Sequence, residues 1–204
     1  MKLYGSIGSP FVRMSMVTAI EAGLSQRVQL AAASVVPTAV NADLQKLSPI
    51  AKVPVLETDH GHPLYDSRVI MEYLLHVGGN KQLLPDDGVK RFRILTLLAL
   101  AQGLSDSCVA LRYELAIRPP EFKWPDFITR TTTRINACCD ELEGTWRDSL
   151  QEVNLGSIAV AVSLSFLDYR HGALSWRTNR PNLTQFHEKF SKRDSMVNTA
   201  LPTA

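Results

Sequence analysis

Cysteine is scarce. The chain has three in 204 residues, Cys108, Cys138 and Cys139, with no Cys-x-x-Cys spacing and an odd count. Adjacent cysteines rarely bridge each other, so the set supplies no disulfide framework. It is expected to remain as reduced thiols buried in helices of a cytoplasmic protein. A surplus of either charge is missing as well. Lys and Arg number 22 against 20 Asp and Glu, a formal net charge of +2, and the two signs are interspersed. That balance leaves no electrostatic footprint for nucleic acid or for a membrane surface. Long apolar runs are also lacking. "MKLYGSIGSPFVR" at the start holds no signal-peptide core, and "ILTLLALA", Ile94 to Ala101, is far below the roughly 20 residues of a membrane span. Neither an internal repeat nor a low-complexity segment is found. What remains is 45% hydrophobic and 21% charged, the balance of a globular protein with a substantial core.

The pattern changes once along the chain. "KLYGSIG" reads as a short strand that breaks at glycines. "SPFVRMSMVTAIEAGL" carries helix signals throughout: Ser9 at the N-cap, Pro10 at the first helical position, Val12, Met16 and Ile20 at helical spacing, and Gly23 at the stop. "RVQLAAASV" suits a second strand and "VNADLQKLSP" a short helix. "VPVLET" and "PLYDS" flank the turn "DHGH", and "DSRVIMEYLLHVGG" is a helix capped by Asp66 or Ser67. The order is β-α-β-α-β-β-α over residues 1–78. After a linker at 79–88, residues 89–204 read as helices only: a long run stopped by Pro119-Pro120, a second over 125–150, the apolar "SIAVAVSLSFLDYR", and "PNLTQFHEKFSKR". A helix apolar nearly all round belongs in the middle of a bundle.

In order and spacing these segments resemble the cytosolic glutathione transferase superfamily, bacterial type, over nearly the whole chain. "SPFVR" at Ser9 to Arg13, "KVPVLE" with Pro54, "YDSRVIMEYL" with Asp66 and Ser67, "LSDSCVALRYELAIRPPEFKWPDF" and the late "LDYR" carry the resemblance. It implies an α/β plus all-α architecture: an N-terminal thioredoxin-like domain joined to a C-terminal helical bundle, normally as a homodimer. It also implies a glutathione transferase that conjugates the glutathione thiolate to an apolar electrophile. Glutathione is then a co-substrate, with no further cofactor and no metal, and neither nucleic acid nor membrane is a partner.

The resemblance also explains a proline in "VPVLET", where a missing N–H should weaken a sheet ladder. It implies a cis bond before Pro54, which costs an X–Pro bond only about 0.5–1 kcal/mol. The backbone N–H and C=O of Val53 would then pair with the cysteinyl part of glutathione like an added strand. Asp66 and Ser67 open a helix, where free N–H groups and a partial positive charge suit the γ-glutamyl carboxylate and Asp66 suits its ammonium. Lys52 is a candidate for a glutathione carboxylate. Ser9 stands where the family places its catalytic Ser, Tyr or Cys, and would donate a hydrogen bond to the thiolate. Tyr4, Ser6 and a backbone N–H near Phe11 are alternative donors. Pro10 occupies the place of the thiol in cysteine-type members, which argues against a protein mixed disulfide.

One departure concerns the central helix, which the family opens with Ser/Thr-x-x-Asp. Ser157 is followed by Val160, which cannot return a hydrogen bond, so a loss of about 1 kcal/mol or a compensating partner is expected. His60 and His62 read as polar turn tips. Arg112 and Tyr113 could line the electrophile site or cover the bundle. Two other functions fit the same scaffold: a glutathione-dependent reductase of disulfides, peroxides or ethers, and a non-catalytic binding protein.

Overall fold

The computed structural model describes residues 1–86 and 88–202. Asp87, in the expected linker, and Thr203 and Ala204, at the end of the expected helical domain, lie outside the described residues. By its contacts the chain forms two compact units: Met1–Arg91 together with residues 194–202, and Phe92–Arg193.

The first unit is built on a four-stranded mixed sheet of order β2-β1-β3-β4. β1 (Lys2–Gly5) buries Leu3 and Gly5 on one face, the period-two pattern of a strand with one face on the core. It pairs in parallel with β2 (Gln29–Ala32) and antiparallel with β3 (Val55–Glu57), and β3 pairs antiparallel with β4 (Pro63–Leu64). Between them run α1 (Pro10–Glu21) and α2 (Ala42–Leu47), and α3 (Ser67–Gly78) follows. This is the thioredoxin-like β-α-β-α-β-β-α order expected from the sequence. α1 packs on α3, on β1 and on the short C-terminal α8 (Asp194–Val197), which explains why its apolar side chains are buried on more than one face.

The second unit is helical. α4 (Gly88–Arg112) begins in the first unit and runs into the second, and continues as a π turn over Tyr113–Ile117. α5 (Pro125–Glu143), α6 (Leu155–His171) and α7 (Pro181–Phe190) complete it. α6 is buried from Leu155 through Leu164, as its all-round apolar sequence requires. Gly156 lets α6 approach α4 closely, since a Cβ there would lie 2.8 Å from Leu97. The helix Gly88–Ile117 is long and apolar enough, by length and composition, to cross a membrane, although "ILTLLALA" alone is not. More than half of that apolar window, 56%, is buried inside the folded chain.

Four expectations are corrected. Pro54 lies before β3 rather than within it, so no ladder bond is lost. α5 ends at Glu143 instead of reaching residue 150, because Gly144 takes a non-helical conformation and a separate 3-10 turn follows. Residues 194–202 do not extend the helical bundle; α8 and Thr199 within this segment pack on α1. Finally, α6 starts earlier than Ser157. Asn154 is its N-cap, its side chain accepting the Ser157 N–H at 3.0 Å, while the Ser157 hydroxyl accepts the Asn154 N–H at 2.9 Å. The reciprocal cap is intact, three residues upstream of where Val160 seemed to break it.

Candidate functional site

Three chain segments leave the sheet at one end. β1 finishes at Gly5 and passes through Ser6–Ser9 into α1. β3 runs against β1, so Val53–Pro54 at its start stands at the same end; β4 runs against β3, so Tyr65–Asp66 after its end does too. The pairing Leu56 with Leu64 and Glu57 with Pro63, continued outward, sets Pro54 level with Asp66. Gly5 makes the approach possible. At φ +150° it carries no Cβ, which would meet Val12 Cγ2 at 2.4 Å and Val53 Cβ at 3.3 Å.

At the first segment, Ser9 N–H donates to the Ser6 C=O at 2.9 Å, and Gly8 N–H to the Ser6 hydroxyl oxygen at 3.3 Å, closing a tight turn. Ser9 holds the N-cap position in extended conformation, yet its hydroxyl makes no cap hydrogen bond. The first helical bond runs from Arg13 N–H to the Ser9 C=O at 3.0 Å, so Phe11 and Val12 direct their N–H groups out of the helix end. Phe11 itself is half-buried. Tyr4 is committed elsewhere: its hydroxyl donates to Glu57 at 2.8 Å, and this bond raises its pKa above the ordinary 10.0.

At the second segment the Val53–Pro54 bond is cis, as expected, and Val53 stands outside the ladder, which begins at Val55. Lys52 is exposed. At the third segment Asp66 caps α3, one carboxylate oxygen accepting Arg68 N–H at 3.0 Å and the other facing the Arg68 guanidinium at 3.1 Å. Ser67, the first residue of the helix, is 4% exposed. The Tyr65–Asp66 bond is cis as well.

Two contributors were missed in the sequence. Arg68 follows Asp66 closely and could have been read as its partner. Glu57 is on β3 two places beyond the residue opposite Tyr4, a diagonal same-face neighbour that only a known register reveals. The other candidates lie apart. His60 and His62 are exposed in the β3–β4 turn, and no group of three His, Cys, Asp or Glu that could hold a metal occurs among the described residues. Arg112 and Tyr113 are half-buried at the end of α4. All three cysteines are in the second unit, and burial pushes their thiols up, that of Cys139 to about 12. A cleft of about 760 Å³ in that unit, lined among others by Arg147, Phe186, Lys189 and Phe190, contains none of the residues described above.

The family model described as "Glutathione S-transferase, N-terminal domain" matches residues 8–77, which include Ser9, Val53–Pro54 and Tyr65–Asp66. The chain is similar over its full length to the GST-like protein YibF of Escherichia coli K12, 32% identical over 207 residues with both proteins completely covered. Among solved structures it is similar to a glutathione transferase family member from Pseudomonas fluorescens Pf-5 with bound glutathione. That match has a TM-score of 0.96 and 39% identity, covering 99% of each chain. A second Pseudomonas fluorescens Pf-5 structure, with bound S-(propanoic acid)-glutathione, matches with a TM-score of 0.91 and 37% identity over both chains entirely. By sequence and fold together, this chain belongs to the glutathione transferase family.

Proposed function

We propose that the protein binds glutathione at this end of the sheet and transfers its thiolate to an apolar electrophile. The observation that carries the reading is the Ser9 hydroxyl, unused as a cap at the N-terminus of α1 and placed at the end of the sheet where Val53 leaves the ladder. Val53 offers its N–H and C=O to the cysteinyl unit as a strand partner would. Asp66 and Ser67 take the γ-glutamyl end, carboxylate to the α3 N-terminus and ammonium to Asp66, and Lys52 faces a glutathione carboxylate. The glutathione and S-(propanoic acid)-glutathione bound in the two Pseudomonas fluorescens structures support this assignment.

The chemistry asked of the protein is modest. A free thiol ionises at about 8.5, and moving it down one unit needs about 1.4 kcal/mol of preference for the anion. A hydroxyl donor, the Phe11 N–H and the partial positive charge of a helix N-terminus supply that much. Sulfur then forms a bond to the electrophilic carbon, and either a leaving group departs with the bonding pair or a proton is taken up. Holding both reactants together supplies the rest. The protein acts as a homodimer in the cytoplasm.

Replacement of Ser9 by Ala tests the assignment. The bound thiol is expected to titrate about one unit higher and conjugation to slow about tenfold, with glutathione affinity little changed. An unchanged rate and titration would remove Ser9 from the role.

A further inference from the structure

Arg13 stands four residues, about 6 Å of helix rise, beyond Ser9. Although charged, it is only 4% exposed. Its guanidinium donates from Nη2 to the Met196 C=O at 3.2 Å and from Nε to the Thr199 hydroxyl at 3.4 Å, and Nη1 is buried without a hydrogen-bond partner. Both acceptors are neutral and belong to the C-terminal segment, itself buried at Ser195, Met196 and Thr199.

No carboxylate among the described residues pairs with this cation. On α1, Glu21 accepts the Ser195 hydroxyl at 2.6 Å. On β1, Tyr4 donates to Glu57, and Lys2 is a further cation. On α3, Arg68 pairs with Asp66 and Glu72 with Arg91, and Tyr73 and His76 are the other titratable side chains. On α8, Asp194 is the acidic residue, and it makes no ion pair with Arg13. Burial alone lowers the guanidinium pKa, to about 10, so it stays charged at neutral pH. A buried cation held only by neutral groups keeps its field, and apolar surroundings screen that field weakly.

We infer that Arg13 is the buried cation that supports the glutathione thiolate from within α1, and that the C-terminal segment is the clamp that holds it there uncancelled. The inference rests on the glutathione site proposed above. Arg13 does not touch sulfur. It adds positive potential to the helix end where Ser9 and the Phe11 N–H meet the thiol.

The test is the pH titration of thiolate absorbance of glutathione bound to the full chain, in the unmodified protein and in Arg13→Gln, Arg13→Lys and Thr199→Val. Only folded, liganded protein is read, so a change of stability alone does not move the result. Arg13→Gln keeps a donor for Met196 but no charge, and is expected to raise the bound-thiol pKa by about one unit, a tenfold loss of thiolate below it. Arg13→Lys keeps the charge and should titrate like the unmodified protein. Thr199→Val removes one acceptor, leaves the cation, and should also titrate unchanged. An unchanged titration in Arg13→Gln, or equal shifts in Arg13→Gln and Arg13→Lys, would overturn the role. Should Arg13→Gln fail to fold, a shift in Thr199→Val would do so. Absence of glutathione binding by the unmodified protein would instead remove the site and this inference with it.

Discussion

Asp66 carries two duties that single substitutions can separate. Its carboxylate caps α3 through Arg68 N–H, and in the proposed complex it faces the γ-glutamyl ammonium. Asn caps a helix as well as Asp but has no charge. Asp66→Asn is therefore expected to leave the unfolding free energy in urea within about 0.5 kcal/mol while weakening glutathione binding by about 1.5–3 kcal/mol. Asp66→Ala should lower both stability and affinity. Equal glutathione affinity in all three proteins, by calorimetry, would remove Asp66 from the site. Tyr4 shows the opposite case. Its hydroxyl serves Glu57, so Tyr4→Phe is expected to leave the bound-thiol titration unchanged.

At the scale of elements, the cap of α6 and the turn after α4 each set a testable energy. Asn154→Ala removes one half of a buried reciprocal cap and should cost about 1 kcal/mol, or up to about 2, read as a lower urea midpoint. The sequence did contain this cap as Asn-x-x-Ser. It was hard to place because α6 is buried all round, and a helix without a polar face has no periodicity to mark its first turn. Ser157 takes the cap position only when the family's Ser/Thr-x-x-Asp pattern is laid on "SIAV". The strand-turn-strand segment was easier to read, since Pro54, the polar "DHGH" turn and Asp66 punctuate it. In the turn after α4, Glu114 accepts Trp124 N–H at 2.7 Å and faces Arg118, also at 2.7 Å; the Trp124 bond, then the Arg118 charge, holds its carboxyl below the ordinary 4.5. A depressed folded pKa contributes stability above the unfolded value, and that contribution is lost as pH falls through the folded one. The urea midpoints of the unmodified protein and Glu114→Gln should therefore differ at pH 7, draw together as pH falls past 4.5, and meet only below the depressed folded-state pKa. A difference that persists in acid would show that Glu114 acts through packing alone.

On the scale of the whole molecule, the two-part composition was visible as the change from mixed to helical patterning, and the family from motifs whose order matters more than any one of them. The return of the C-terminal segment to α1 was not visible. α8 is four residues long, too short to show a period, and the burial of Arg13 follows from contacts between positions 183 and 186 residues apart. Such pairings leave no local trace in a single sequence. Dimer formation, proposed from family membership, is expected to appear in sedimentation as twice the 22.6 kDa chain mass. A monomer at micromolar concentration would remove it. The central claim is that this fold still binds glutathione with its sulfur open to an apolar partner. The direct measurement is a calorimetric titration of the protein with reduced glutathione and then with S-hexylglutathione. Saturable binding of both, tighter for the hexyl form, is predicted. No binding of either would contradict the claim and leave a glutathione transferase scaffold that serves some other purpose.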